Sequence, residues 1–175
     1  NLKIKNTRGD GIIIVSQTNH CYNVTIKDVT IRNAYRNGIA IIAGNNINIS
    51  NVDADSIGLA GIDLEPDLLD QSTKNVHVSG VKIPSFWVGH HLDTVASNIT
   101  LYAFEIDGSR HGCNPAYPTT SGVTGTGIAV RHTNSFTVQD GTIDNCGDVA
   151  IYFTNGTRKS WGIRFENVYF GPNNA

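Results

Sequence analysis

The chain contains no methionine, and its 175 residues carry only three cysteines, two tryptophans and 16% charged side chains. These scarcities exclude several classes of function. With a formal net charge of −2 and no basic run, the sequence has neither the footprint of a nucleic-acid binder nor that of a membrane-surface protein. The longest apolar run, Ile12 to Val15, is far too short to span a bilayer. Cys21, Cys113 and Cys146 form no CxxC pair and no cluster with zinc-ligand spacing. They read as small buried hydrophobes, with one disulfide plus a leftover thiol as the alternative in a secreted chain. The sequence starts without methionine, directly in patterned residues at Leu2 and Ile4. We therefore expect a piece of a longer protein, which leaves the question of an export signal open.

What the chain has in abundance is glycine, 18 residues of it, and short stretches in which every second residue is aliphatic. These stretches repeat. "NVTIKDVTI" starts at Asn23, "NINISNVDA" at Asn46, "NVHVSGVKI" at Asn75, "NITLYAFEI" at Asn98, "SFTVQDGTI" at Ser135 and "WGIRFENVYF" at Trp161. Each reads apolar-x-apolar, two small or polar residues, apolar-x-apolar. Such alternation marks short strands with one buried face. The two-residue offsets (Lys27 and Asp28, Ser50 and Asn51, Ser79 and Gly80) mark corners. The weaker members of the second pairs are Val52 with Ala54 and Gly141 with Ile143.

A third strand follows in each repeat, usually opened by glycine: "GIIIV" from Gly11, "GIAII" from Gly38, "GIDLE" from Gly61, "GHHLD" from Gly89, "GIAVR" from Gly127, and "VAIYF" from Val149. Three short strands per repeat wind into a three-sided coil, with successive coils stacked about 4.8 Å apart. The expected fold is an all-β, right-handed parallel β-helix of about seven coils, one domain over 1–175. Equivalent positions Val24, Ile47, Val76, Ile99, Phe136 and Ile163 lie 23, 29, 23, 37 and 27 residues apart. The longer spacings require loops that leave the stack, assigned to 66–74 and 108–126. An antiparallel sandwich is the structural rival, but it explains neither the three-part pattern nor the asparagines at successive coil starts. Those asparagines are expected to stack as a ladder inside the corner. Three of the four N-x-[ST] sequons, at Asn23, Asn48, Asn98 and Asn155, fall at or beside strand starts, which favours a structural role over glycosylation.

Alternation along the third strands sends Ile39 and Ile41 inward and Ala40 and Ile42 outward. Two outward columns result: Ile13, Ala40, Asp63, His91, Ala129, Ala150, and Val15, Ile42, Glu65, Asp93, Arg131, Tyr152. The apolar early members invite cover by an upstream segment, a loop or another subunit, and trimeric packing is one explanation. The later members gather Asp63, Glu65, His91, Asp93, Arg131 and Tyr152 into one patch, with Glu65 and Asp93 about 5 Å apart. Crowded carboxylates raise at least one pKa. This suits glycosidic cleavage, with Glu65 as general acid and Asp93 or Asp63 as base or nucleophile. His91, Arg131, Tyr152 and Trp87 are the candidate substrate contacts, Arg131 for a uronate carboxylate, although Trp87 also fits packing against a loop. The same carboxylates around a Ca²⁺ ion would instead serve a lyase or epimerase. The hydrolase reading needs no cofactor. A third reading is a non-catalytic glycan-binding or structural β-helix.

At the level of coil pattern, Leu2 to Phe170 resembles the pectate-lyase-like superfamily of right-handed parallel β-helix proteins. "RNGIAIIAGNNINISN" from Arg36, followed by "AGIDLEPD" from Ala60, is similar to bacterial and phage members, including tailspike-type polysaccharide depolymerases. The resemblance implies a polysaccharide partner, an extracellular or virion tail-associated location, a homotrimer as in many tailspikes, and a site among Asp63, Glu65 and Asp93. The polygalacturonase motif series is absent despite "VGHH" from Val88, and so is the "DPH" of mannuronan epimerases, whose nearest segment is "DLEP" from Asp63.

Overall fold

Two parallel sheets are built from alternating long and short strands. The computed structural model describes residues 1–16, 20–67, 71–89, 95–112, 125–154 and 159–174. The long strands are β1 (Leu2–Thr7), β3 (Cys21–Ala34), β5 (Gly44–Ile57), β7 (Ser72–Ile83), β9 (Val95–Asp107), β11 (Thr133–Asp144) and β13 (Trp161–Phe170). They pair in that order as a seven-stranded sheet. The short strands are β2 (Ile12–Ile14), β4 (Ile39–Ile41), β6 (Ile62–Leu64), β8 (Phe86–Val88), β10 (Thr126–Arg131) and β12 (Val149–Thr154), and they form a second sheet in the order β2 to β12. The result is the expected right-handed parallel β-helix.

The first two expected strands of each coil are one continuous ladder bent at a single residue. That residue has positive φ in every coil: Asp28, Asn51, Gly80, Ala103, Asp140 and Asn167. A second such column, Asn23, Asn46, Asn75, Asn98, Ser135 and Gly162, makes the preceding corner. Asparagine, aspartate and glycine tolerate the left-handed region best, which explains their recurrence at these offsets. The asparagine ladder forms, but on the outside. Asn46 Nδ2 donates to Asn23 Oδ1 at 2.6 Å and Asn98 Nδ2 to Asn75 Oδ1 at 2.6 Å, all exposed. Between those pairs the stack slips by one residue, because Asn75 Nδ2 reaches Asn45 Oδ1 instead. An αL residue points its side chain away from the coil interior, so the ladder meets solvent.

Inside the coil the apolar columns hold as read. Ile49, Val78, Leu101 and Val138 stack in register, as do Ile47, Val76, Ile99 and Phe136, and all eight are buried. Each such side chain contributes roughly 1.5–3 kcal/mol by leaving water. The weak member Gly141 has a reason: a Cβ there would lie 2.4 Å from the Phe104 ring, which fills the space from the neighbouring coil. The strand-opening glycines have one too. A Cβ on Gly38 would come within 2.5 Å of the Gly61 carbonyl oxygen, and one on Gly11 within 2.6 Å of the Gly38 carbonyl oxygen.

One register departs from expectation. The short strand of the fourth coil is Phe86–Val88 rather than "GHHLD", because Phe86 pairs with Ile62 and Ile128 and stacks on Phe136 in the core at a 5.9 Å centroid distance. Of the expected loops, residues 68–70 and 113–124 lie outside the described residues. A 3-10 turn at Gly108–Arg110 opens the second loop, and the Arg110 guanidinium pairs with Asp53 on β5.

Candidate functional site

The corrected register rewrites the outward columns. Ile13, Ala40, Asp63, Trp87, Ala129 and Tyr152 are successive partners on β2, β4, β6, β8, β10 and β12. Trp87 thus occupies the place assigned to His91. His91 and Asp93 fall outside the described residues, so their proximity to Glu65 is not part of this geometry. Gly89, whose N–H donates to the Leu64 carbonyl, follows Val88 where Asp93 was expected. Tyr152 moves to the column of Ala129, and Thr154 takes its place beside Arg131. Arg131 and Tyr152 stand two and three coils from the Asp63 strand, about 10 and 14 Å away.

The outward face is also not a solvated one. Asp63 is 0% exposed, Glu65 6% and Trp87 2%. Trp87 turns its ring into a small second apolar cluster with Leu59 and Ala60, against which Ala129 packs. It therefore offers no face to a sugar, which corrects its assignment as a substrate contact. Packing is what the alternative expectation for this residue required. Tyr152, by contrast, is exposed.

What covers the two carboxyls is a set of turn residues lying just before the strand-opening glycines. Asn37, fully buried, is the central one. Its backbone N–H donates to Asp10 Oδ1 at 2.9 Å and its Oδ1 accepts from the Ala60 N–H at 3.1 Å. Its Nδ2 reaches Glu65 Oε1 at 3.3 Å and Asp63 Oδ2 at 3.5 Å. Next to it, the Arg36 guanidinium lies 3.3 Å from Glu65 Oε1 and 3.7 Å from Asp10 Oδ2. Asp10, Arg36 and Asn37 were missed in the sequence. The available signal was positional: Asp10–Gly11, Asn37–Gly38 and Ala60–Gly61 are equivalent dipeptides in consecutive coils.

Glu65 and Asp10 thus share one guanidinium, with Asp63 buried beside them. Burial pushes Glu65 up, the charges of Asp67 and Asp10 add to it and Arg36 opposes, leaving its pKa at about 7. Asp63 is raised further, first by burial, then by the charge of Glu65 and by a side-chain hydrogen bond to it. Asp63 Oδ1 is buried and meets no N–H or O–H group of the protein. The two carboxyls share the Asn37 amide and a hydrogen bond to each other, which requires a proton held by the pair. Both carboxyls therefore hold protons to higher pH than free carboxyls do. Among the described residues, no group of three His, Cys, Asp or Glu side chains is placed to hold a metal ion. No helix among them is long and apolar enough to cross a membrane.

No curated protein matches the chain at a significant level. Among solved structures it is similar to a protein from Parabacteroides merdae ATCC 43184, provisionally designated a glycosyl hydrolase. The two share 11% identity over 96% of this chain and 80% of the other, with a TM-score of 0.47. The model of the right-handed β-helix region matches residues 10–174, and the stacked coils, bent long strands and short third strands agree with it: the chain belongs to that family.

Proposed function

We propose that the protein acts on polysaccharide as a glycoside hydrolase, with Glu65 as the proton donor to the departing sugar oxygen. The observation that carries this reading is the burial of Glu65, 6% exposed, which with the charges of Asp67 and Asp10 holds its pKa at about 7. Glycosidic cleavage needs an acid still protonated at working pH. It also needs a second carboxyl roughly 5 Å or more from the first, with the sugar between them. Asp63 is bonded directly to Glu65, too close for that part. Its role is then to orient Glu65, whose proton is kept by burial and by the charges of Asp67 and Asp10, and Asp93 is the proposed base or nucleophile.

The test is a screen of acidic and neutral polysaccharides with wild type, Glu65→Gln and Asp93→Asn. New reducing ends without the ultraviolet absorbance of an unsaturated sugar support hydrolysis. Glu65→Gln should then lose about 10²–10⁴ in kcat, and activity should fall above about pH 7. Unimpaired cleavage by Glu65→Gln refutes the assignment, and unsaturated products point to a lyase. The burial of Asp63, Ala40 and Trp87 favours one other reading, a glycan-binding or structural β-helix in which the carboxyl cluster ties turns together. Binding without cleavage of any polysaccharide would select it.

A further inference from the structure

A cleft of about 430 Å³ opens at the corner where β1, β3 and β5 run into their turns. Its volume lies within the range of small-ligand sites, about 300–1,000 Å³. Arg8 and Tyr35 stand on its wall with Asn6, Asn33 and Ser56. The charge balance of this wall is unusual. Arg32, Arg36, Arg110 and Arg164 each pair with a carboxylate. Among the described residues Arg8 is the one arginine with no hydrogen bond or ion pair, and it is exposed. A guanidinium fork left open at a cleft matches a carboxylate or sulfate in a bidentate contact.

The neighbouring groups suit a sugar ring. Tyr35 is 43% exposed and presents an aromatic face with a polar tip. Asn33 Nδ2 is spent on Asn6 Oδ1 at 2.9 Å, which leaves the Asn6 amide N–H groups and the Asn33 carbonyl for ligand hydroxyls. The Ser56 hydroxyl donates to Asp55 at 3.3 Å and keeps its lone pairs. The cleft also lies at the same corner as the buried carboxyls. Tyr35 adjoins Arg36, which holds Glu65, and Arg8 is two residues from Asp10, which holds Asn37.

We propose that this cleft is a subsite for an anionic sugar unit, whose carboxylate or sulfate pairs with Arg8 while its ring lies against Tyr35. The inference rests on the glycan-directed reading above and narrows its ligand to acidic polysaccharide.

Calorimetric titration of the full chain tests it with three probes: a galacturonate trisaccharide, its methyl-esterified neutral form, and a sulfated galactan trisaccharide. The acidic sugars should bind at least about tenfold more tightly than the ester. Whichever of the carboxylate and sulfate probes binds better identifies the anion. Arg8→Gln should erase that preference and leave the affinity for the ester unchanged, Arg8→Lys should restore part of it, and Arg164→Gln should behave as wild type. Glu65→Gln should keep the affinity, because its carboxyl is not on this wall. Equal affinity for acid and ester, no binding of any acidic probe, or indifference to Arg8→Gln overturns the subsite. Arg8-dependent binding without cleavage of any polysaccharide leaves the subsite standing and sinks the hydrolase reading. Cleavage with Arg8-independent binding does the reverse.

Discussion

Glu65→Gln should stabilise the protein at neutral and alkaline pH while removing the proposed cleavage activity. The folded-state pKa of Glu65 is raised from 4.5 to about 7. Between those values the folded chain keeps a proton that the unfolded chain has already released. Stability therefore falls as pH rises through that window and levels off above about pH 7. At about 1.4 kcal/mol per pH unit, the loss is about 3 kcal/mol. The raised pKa of Asp63, itself pushed up partly by Glu65, works in the same direction. Glutamine keeps the shape and an acceptor for Asn37 and Arg36, but it cannot ionise. The variant should match wild type near pH 4.5 and exceed it by about 3 kcal/mol at pH 8, or about 6–12 °C in Tm for a chain of this size. Urea unfolding of both proteins at half-unit steps from pH 4.5 to 8.5 measures the difference. His111, whose pKa burial lowers, adds a stability that falls away as pH drops below 6.5. It does so equally in both proteins and cancels. Asp53 and Asp107, held below the usual 3.8, titrate beneath the window. A difference that stays flat, or that grows in favour of wild type with rising pH, refutes the shared-proton reasoning. A variant that gains stability and loses cleavage separates a catalytic role for Glu65 from a structural one.

Three further outcomes follow from the packing. Gly38→Ala, whose Cβ would sit 2.5 Å from the Gly61 carbonyl oxygen, should cost about 2 kcal/mol or more in urea unfolding, whereas Gly9→Ala, with nothing within 4 Å, should be close to neutral. At Asn46, where φ is 60°, alanine should be about 1 kcal/mol less stable than glycine; equal stabilities would show that the left-handed corner is not what selects the residue. The buried Cys146 thiol is pushed up to about 11 by burial and the charges of Asp144 and Asp107, so thiol reagent at pH 8 should label it only after unfolding. Labelling of native Cys146 at the rate of a free thiol would contradict that.

Cysteine usage was read correctly at two positions: Cys21 and Cys146 are unpaired, and Cys146 is a core residue. The coil pattern was legible because it is local. Inward Ile47 and Ile49 and outward Asn48 and Ser50 follow from a period of two, and the corner asparagines follow from their own backbone preference. The fourth coil was misread because a three-residue strand carries almost no periodic information. "FWV" offers the apolar-x-apolar pair Phe86 and Val88, whereas "GHHLD" matched the other third strands by its opening glycine and Leu92 alone. Hydrogen bonding of Phe86–Val88 to the coils on either side, and the stacking of Phe86 on Phe136, decided between them.

The sequence by itself therefore determined the β-helix, its inward columns and the pairing of Asp63 with Glu65 on one outward strand face. Tertiary structure decided that this face is covered, that Trp87 belongs to a second small core, and that Asp10, Arg36 and Asn37 surround the carboxyls. The physical reason lies in the range of each determinant. Strand alternation fixes which way a side chain points within two residues of chain. Whether the outside of a coil is wet, and what charge meets it there, depends on turns more than 20 residues away in sequence that stacking brings alongside.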